Sequence, residues 1–350
     1  MDQNLKVKLE TSISNMENKS SKIYFFVQDT MGNAKASIRH IYKMAMVLKK
    51  EGYNPIMLHE KPDYTGIGGW LGVEYAELPH QSIEGTQLMV APEDFLIIPE
   101  IFGFVMEQVK DLPCGKVVLC QAYDHMLETL APGIGWSQYG FYKCITTCET
   151  QRQQIDKIMK GVSIDIIEPT ISSCFEKQKY PPKPIIAVHA REQRDGLNLI
   201  KQFYLRFPQY RWFTFRDLRG MSEEEFSNSL KDCFVSVWID PTSGWGSFPL
   251  ESMRSGVPVI GKTPNLVPDW MNEKNGIWVE NQNHIIDVLA DFCQNWLEDN
   301  ILEELYTNME ETSNKYIDEN KFETLVVSSF EGYLNTRKQS FVDQLQKISE

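Results

Sequence analysis

The stretch DPTSGWGSFPLESM, residues 240–253, holds the residue types that bind an anion through the main chain. A turn through Pro241 leads into the small residues Ser243, Gly244, Gly246 and Ser247, and a helix-forming run from Leu250 to Arg254 follows. Glycine lets a backbone approach a phosphate without a β-carbon in the way. A helix N-terminus adds unpaired N–H groups and the positive end of the helix dipole. Glu251 falls on the first turn of the predicted helix, where a carboxylate can accept both hydroxyls of a ribose. The same residues also read as a tight turn with packed glycines and a surface glutamate, and residue types alone leave both readings open.

Such a loop needs a strand to deliver it. CFVSVWID (233–240) is a continuous apolar run that ends there, and open α/β sheets bind ligands outside the carboxyl ends of their strands. The pattern begins much earlier. KIYFFVQD (22–29) reads as a buried parallel strand, TMGNAKAS as a loop holding Gly32, and Ile38, Ile41, Tyr42, Ala45 and Leu48 recur at helical spacing up to Gly52. NPIMLHE is the next strand, and DFLIIPE (94–100), GKVVLCQAY (115–123) and KCITTCE (143–149) continue the sheet. TQRQQIDKIMKG reads as a helix and VSIDIIEP as a strand. From Thr170 to Pro184 the chain is rich in proline and charge, which marks a linker.

A second series follows: strand IIAVHA, loop REQRDG, helix LNLIKQFYLRF and strand RWFTF. SEEEFSNSLKD is a helix opened by a capping box, with Ser222 as cap and Glu225 three residues on. An amphipathic helix over residues 319–345 closes the chain. The expected fold is α/β, with two Rossmann-like, doubly wound domains at 1–168 and 169–318 facing a cleft. The C-terminal helix, 319–350, is expected to pack back on the first domain.

Composition sets the outer bounds. A chain of 350 residues has room for two cores, because single cores stop growing below that size. A net charge of -13 argues against a large electrostatic footprint for nucleic acid or acidic lipid. The seven cysteines lack the paired spacing of a zinc site and read as reduced, mostly buried thiols. The polar leader MDQNLKVKLETSISNMENKSS lacks the apolar core of a signal peptide, and no segment approaches the roughly 18 apolar residues of a membrane span. A soluble, cytoplasmic protein without a transmembrane segment is expected.

GWGSFPLESMRSGVPVIG resembles the nucleotide-sugar signature of retaining GT-B glycosyltransferases of glycosyltransferase family 4, whose common form is EGFGLxxLEAMAxGxPVI. The likeness runs on through PNLVPDWMNEKNGIWVENQNHIIDVLADF. Upstream, IIAVHAREQRDGLNLIKQF is similar to the family's vGRlxxxKGldxLixaf, IIEPTISSCF to its viPNGvdxxxF and TTCETQRQQI to its vSextxxxl. The resemblance is strong in the glycine loop and loose elsewhere.

It implies a set of site residues. Gly244, Gly246, Ser247 and Phe248 would bind a donor diphosphate through the main chain, and Glu251 would hold the ribose. Arg191 and, one register short, Arg194 stand for the family's arginine and lysine on the phosphates, where two guanidiniums can clamp a diphosphate. Arg219 joins the donor-binding set from RDLRGMS, a segment in which the family has an extra strand and helix. The family's first glutamate, which holds a sugar hydroxyl near the transferred carbon, falls on Ser243, so Ser243 takes that catalytic position. On the acceptor side, Gly32 matches the glycine-rich loop after the first strand. Gln121 stands where the family often has a histidine, with Asp124 and His125 just beyond, and TGIGGWLGVEY (65–75) suits a lid or a plain turn.

The implied reaction moves a sugar from a UDP- or GDP-linked donor with retention. It needs no metal, since neither half has a clear Asp-x-Asp pair, and the nucleotide sugar is a substrate rather than a cofactor. The implied acceptor is a glycan or lipid-linked saccharide, or a hydroxymethylated DNA base as in viral DNA-modifying enzymes. A catalytically inactive nucleotide-sugar-binding or scaffold protein is the alternative.

Overall fold

The computed structural model describes residues 2–67, 69–85, 88–177, 181–298 and 302–349. Gly68 of the glycine-aromatic loop and residues 178–180 of the linker lie outside the described residues. The chain divides into two compact units, one of residues 1–168 with 319–350 and one of residues 169–318.

The first unit opens with helix α1 (Asp2–Glu17), in the segment that reads as a polar leader. Leu9 and Met16 are buried and Ile13 packs beside them, an i, i+4, i+7 stripe against the C-terminal helix. Ser12 and Asn15 both donate to the carboxylate of Glu93, at 2.8 and 2.6 Å. Strand β1 (Lys22–Phe26), helix α2 (Ala36–Lys50), β2 (Asn54–His59), β3 (His80–Ser82) and β4 (Phe95–Pro99) follow. Next come α3 (Gly103–Gln108), β5 (Gly115–Cys120), β6 (Lys143–Thr146), α4 (Glu149–Ile158) and β7 (Ser163–Ile166).

These strands form one parallel sheet in the order β3-β2-β1-β4-β5-β6-β7. On β1, Ile23 and Phe25 enter one apolar core and Tyr24 and Phe26 the other. A strand with both faces covered has no polar alternation, which is why these strands read as unbroken apolar runs. The C-terminal helix (Glu319–Ser349) buries Phe322, Val326, Phe330, Tyr333 and Phe341 in the core shared with α1 and α2.

The second unit holds β8 (Lys183–Ala190), α5 (Gln193–Arg206), β9 (Thr214–Asp217), α6 (Glu223–Lys231) and β10 (Cys233–Ile239). It continues with α7 (Ser247–Arg254), β11 (Val259–Lys262), β12 (Ile277–Val279), α8 (His284–Leu297) and α9 (Glu303–Ser313). Its parallel sheet has the order β12-β11-β10-β8-β9. The capping box on α6 forms, with the Glu225 N–H donating to Ser222 Oγ at 3.3 Å and the Ser222 N–H to Glu225 Oε2 at 2.9 Å.

In each unit the first strand sends the chain to one side and a later strand to the other. The reversal falls between β1 and β4 in the first unit and between β8 and β10 in the second. The loops leaving such a pair diverge and open a crevice at the carboxyl end of the sheet, the ligand position of open α/β folds.

Candidate functional site

In the second unit the two loops at this position are residues 191–194, after β8, and 240–246, after β10. The Arg191 N–H extends the sheet by donating to the Ile239 carbonyl at 2.9 Å. Its guanidinium Nη1 lies 3.4 Å from Asp240 Oδ1. The same carboxylate oxygen accepts from the Thr242 N–H at 3.2 Å, fixing the turn through Pro241. Arg194 is exposed on the first turn of α5.

Gly246 caps α7 with φ 77° and ψ 59°, a left-handed conformation that an L-side chain resists. A β-carbon there would also meet the Trp270 ring, so glycine is required twice over. Gly244 is buried beside it and Ser243 is half-buried. The first N–H groups of α7, those of Ser247 and Phe248, have no acceptor within the helix. Pro249 at the third position has no N–H to leave unpaired.

The helix starts at Ser247, not at Leu250 as the apolar run suggests, because proline is well tolerated in a first turn. Glu251 therefore lies on the second turn, which corrects its expected place on the first. It is half-buried, and its charge, with that of Glu223, adds to burial in raising the Cys174 thiol above its ordinary range.

Arg219 is placed differently. Its Nε bonds both oxygens of Asp217, at 2.9 and 3.0 Å, and its Nη2 bonds Oδ2. This fork holds the Asp217 carboxyl below the usual range. Asp217 ends β9, which flanks β8 on the side away from β10, so Arg219 stands one strand from the switch-point loops that carry Arg191.

The sequence reading missed His189. It sits two residues before Arg191, and its ring stacks on Phe248 with centroids 4.7 Å apart and planes 17° apart. The one available signal was a polar residue at the carboxyl end of the apolar run IIAVHA.

The rim of the first unit carries the other expected residues. Gly32 follows Met31, both with positive φ (80° and 52°), and its N–H donates to Thr65 Oγ1 at 3.0 Å. Thr65 Oγ1 in turn donates to Asp29 Oδ1 at 2.6 Å. Gln121 follows β5, with Nε2 bonded to the Ser37 carbonyl at 3.0 Å. Asp124 and His125 lie on the short 3-10 helix Tyr123–Leu127, and His125 Nδ1 is 3.1 Å from Glu128 Oε2.

Glu100, just beyond β4, was also missed. It is buried, and its two oxygens accept the N–H groups of Gln121 and Ala122 at 3.2 and 3.0 Å. Burial pushes its carboxyl up to about 7 against the pull of those bonds.

Two parallel sheets of doubly wound topology, with seven and five strands among the described residues, give the GT-B fold found in solved glycosyltransferase structures. No protein-family model and no curated protein matches the sequence. Among solved structures, the chain is similar to sucrose-phosphate synthase from Thermosynechococcus elongatus, at 11% identity over 90% of this chain and 99% of that one, with a TM-score of 0.63. It is also similar to Anabaena HepE in complex with UDP, at 7% identity over 89% and 100% of the two chains and a TM-score of 0.61. The pneumococcal O-GlcNAc transferase GtfA in complex with UDP and GlcNAc matches at 9% identity over 94% and 99%, with a TM-score of 0.58. Among the described residues, no helix is long and apolar enough to cross a membrane.

Proposed function

We propose that this protein transfers a sugar from a nucleoside-diphosphate sugar, UDP- or GDP-linked, to an acceptor, with retention and without a metal. One observation carries the reading: Arg191 and the Gly246-capped N-terminus of α7 leave adjacent strands at the switch point of the second sheet. A guanidinium and a set of unpaired N–H groups there supply positive charge from two directions, the requirement for holding a diphosphate as the glycosidic bond breaks.

In this reading the second unit binds the donor. Gly244, Gly246, Ser247 and Phe248 cradle the phosphates, Arg191 and Arg194 neutralise the leaving group, and Glu251 takes the ribose hydroxyls. Arg219 serves the donor less directly, because Asp217 already occupies its fork. The first unit, with Gly32, Gln121, Asp124 and His125, takes the acceptor. A glycan or lipid-linked saccharide suits the acidic chain better than hydroxymethylated DNA, which would face a net charge of -13.

Ser243, in place of a carboxylate, favours one other reading, an inactive nucleotide-sugar-binding scaffold in a soluble, cytoplasmic setting. Melting in the presence of UDP or GDP tests the site, since a ligand of the folded state raises the melting temperature by mass action. The rise is expected to persist in EDTA. A rise that needs added divalent metal contradicts the metal-independent reading, and no rise with either nucleotide contradicts the site.

A further inference from the structure

His189 has chemistry that the proposed transfer does not yet use. Its imidazole is half-buried, and its stack on Phe248, the second residue of α7, places it beside the first turn of that helix. Among the described residues, no protein group hydrogen-bonds its ring nitrogens. Three charged groups act on it: Asp240 from the exit of β10 and Asp217 from the end of β9 favour the protonated ring, and Arg219 opposes it. Both carboxylates are already matched, Asp240 by Arg191 and Asp217 by Arg219. The ring is thus left without a counter-ion of its own, and burial keeps its pKa below the ordinary histidine value.

A diphosphate docked on α7 brings the missing counter-ion. We propose that His189 contacts the nucleotide diphosphate as an imidazolium, taking up one proton from solvent as the ligand binds. This rests on the reading that α7 and Arg191 hold a diphosphate. The charge balance is simple: one solvent proton moves to a ring nitrogen, no covalent bond of the nucleotide changes, and the new N–H donates to a phosphate oxygen. The ring is stacked on a fixed aromatic partner, so its nitrogens are oriented before the ligand arrives, and only the proton is added.

The test is calorimetric titration with UDP, and separately GDP, of the full chain and two variants, His189→Phe and His189→Gln. Phe keeps an aromatic ring on Phe248, and Gln keeps a hydrogen-bond donor that does not titrate. UDP has a titrating phosphate of its own, but it is common to all three proteins and cancels in their comparison. Between about pH 6 and about pH 8, wild-type affinity is expected to fall about three- to tenfold more than that of either variant, because linkage allows up to tenfold per pH unit for one proton. In two buffers of different ionisation enthalpy, the wild type should take up more protons on binding than either variant, the difference approaching one proton per site. His189→Gln should match or exceed wild-type affinity near pH 8, where the wild-type ring is hardest to charge. Equal pH profiles in wild type and variants, with binding intact, overturn the role of His189 alone. Absence of binding by both nucleotides near pH 6 overturns the diphosphate site, and His189's role with it.

Discussion

A β-carbon on Gly246 would stand 2.9 Å from Cζ2 of Trp270, an indole whose own N–H donates to the Trp245 carbonyl at 2.6 Å. Trp270 therefore supports the glycine loop twice, as a wall under Gly246 and as a hydrogen-bond anchor to its neighbour. Gly246→Ala must accept both a left-handed alanine and an overpacked contact. It is expected to lower the unfolding free energy by about 1–3 kcal/mol and to abolish the UDP-dependent rise in melting temperature. Urea denaturation and thermal melts check this. Unchanged stability with an unchanged UDP response would show that the loop tolerates a β-carbon and is not a fitted anion cradle.

Glu251 is half-buried on α7, one turn beyond the glycine cap. Replacing it with Gln keeps its size and removes its charge, so the ribose hydroxyls lose charge-assisted bonds worth about 1.5–3 kcal/mol. Affinity for UDP should fall about tenfold or more, with stability nearly unchanged. Calorimetry on Glu251→Gln decides the matter, and full affinity would leave Glu251 as an ordinary helix residue.

Acid stability follows from buried groups in the first unit. Neither ring nitrogen of His40 or His80 has a hydrogen-bond partner among the described residues. Burial, assisted by Lys43, lowers His40 to about 3, and burial, assisted by His59, lowers His80 to about 4. A histidine depressed in the fold gives stability that is complete above its unfolded value of about 6.5 and is lost as pH falls toward its folded value. Glu100 has the opposite sign: raised to about 7, it favours the fold increasingly as pH drops from about 7 toward its ordinary range. His40→Leu should reduce the acid loss of stability by about 1.4 kcal/mol per pH unit between about pH 6 and about pH 5, and Glu100→Gln should steepen it by about as much. Denaturation curves over that range measure both slopes. A slope unmoved by both changes contradicts the assigned burial.

The sequence disclosed the longer strands of both sheets because two covered faces demand unbroken apolar runs such as FLIIP and CFVSVWI, while the short strands β3, β11 and β12, of three or four residues each, were too brief to show such a run. Strand order was not legible, since parallel pairing joins residues far apart in the chain: β1 pairs with β4 across a gap of more than sixty residues. The leader helix was hidden because Leu9, Ile13 and Met16 are a thin stripe in a polar segment, and only the facing C-terminal helix gives that stripe a core. The glycine loop was legible from its spacing, but its Trp270 support was not, because a ring 24 positions away leaves no local pattern. His189 and Glu100 escaped for a common reason. A single polar residue at the end of an apolar strand reads as the strand's edge, and only the neighbouring strands' exits give it a role.

Arg191 is expected to stabilise a leaving diphosphate in a working transferase. Negative charge builds on that group only as the sugar bond breaks, so a guanidinium placed there acts more on the transition state than on the ground state. The direct measurement compares turnover of a bound nucleotide sugar, by transfer or hydrolysis, with its affinity in wild type and Arg191→Ala. The rate is predicted to fall roughly a hundredfold or more while affinity falls less, and Arg191→Lys should recover only part because an ammonium lacks the bidentate fork. A wild type that binds a nucleotide sugar tightly yet neither transfers nor hydrolyses it, with Arg191→Ala changing affinity alone, would contradict the account and leave a nucleotide-sugar-binding scaffold.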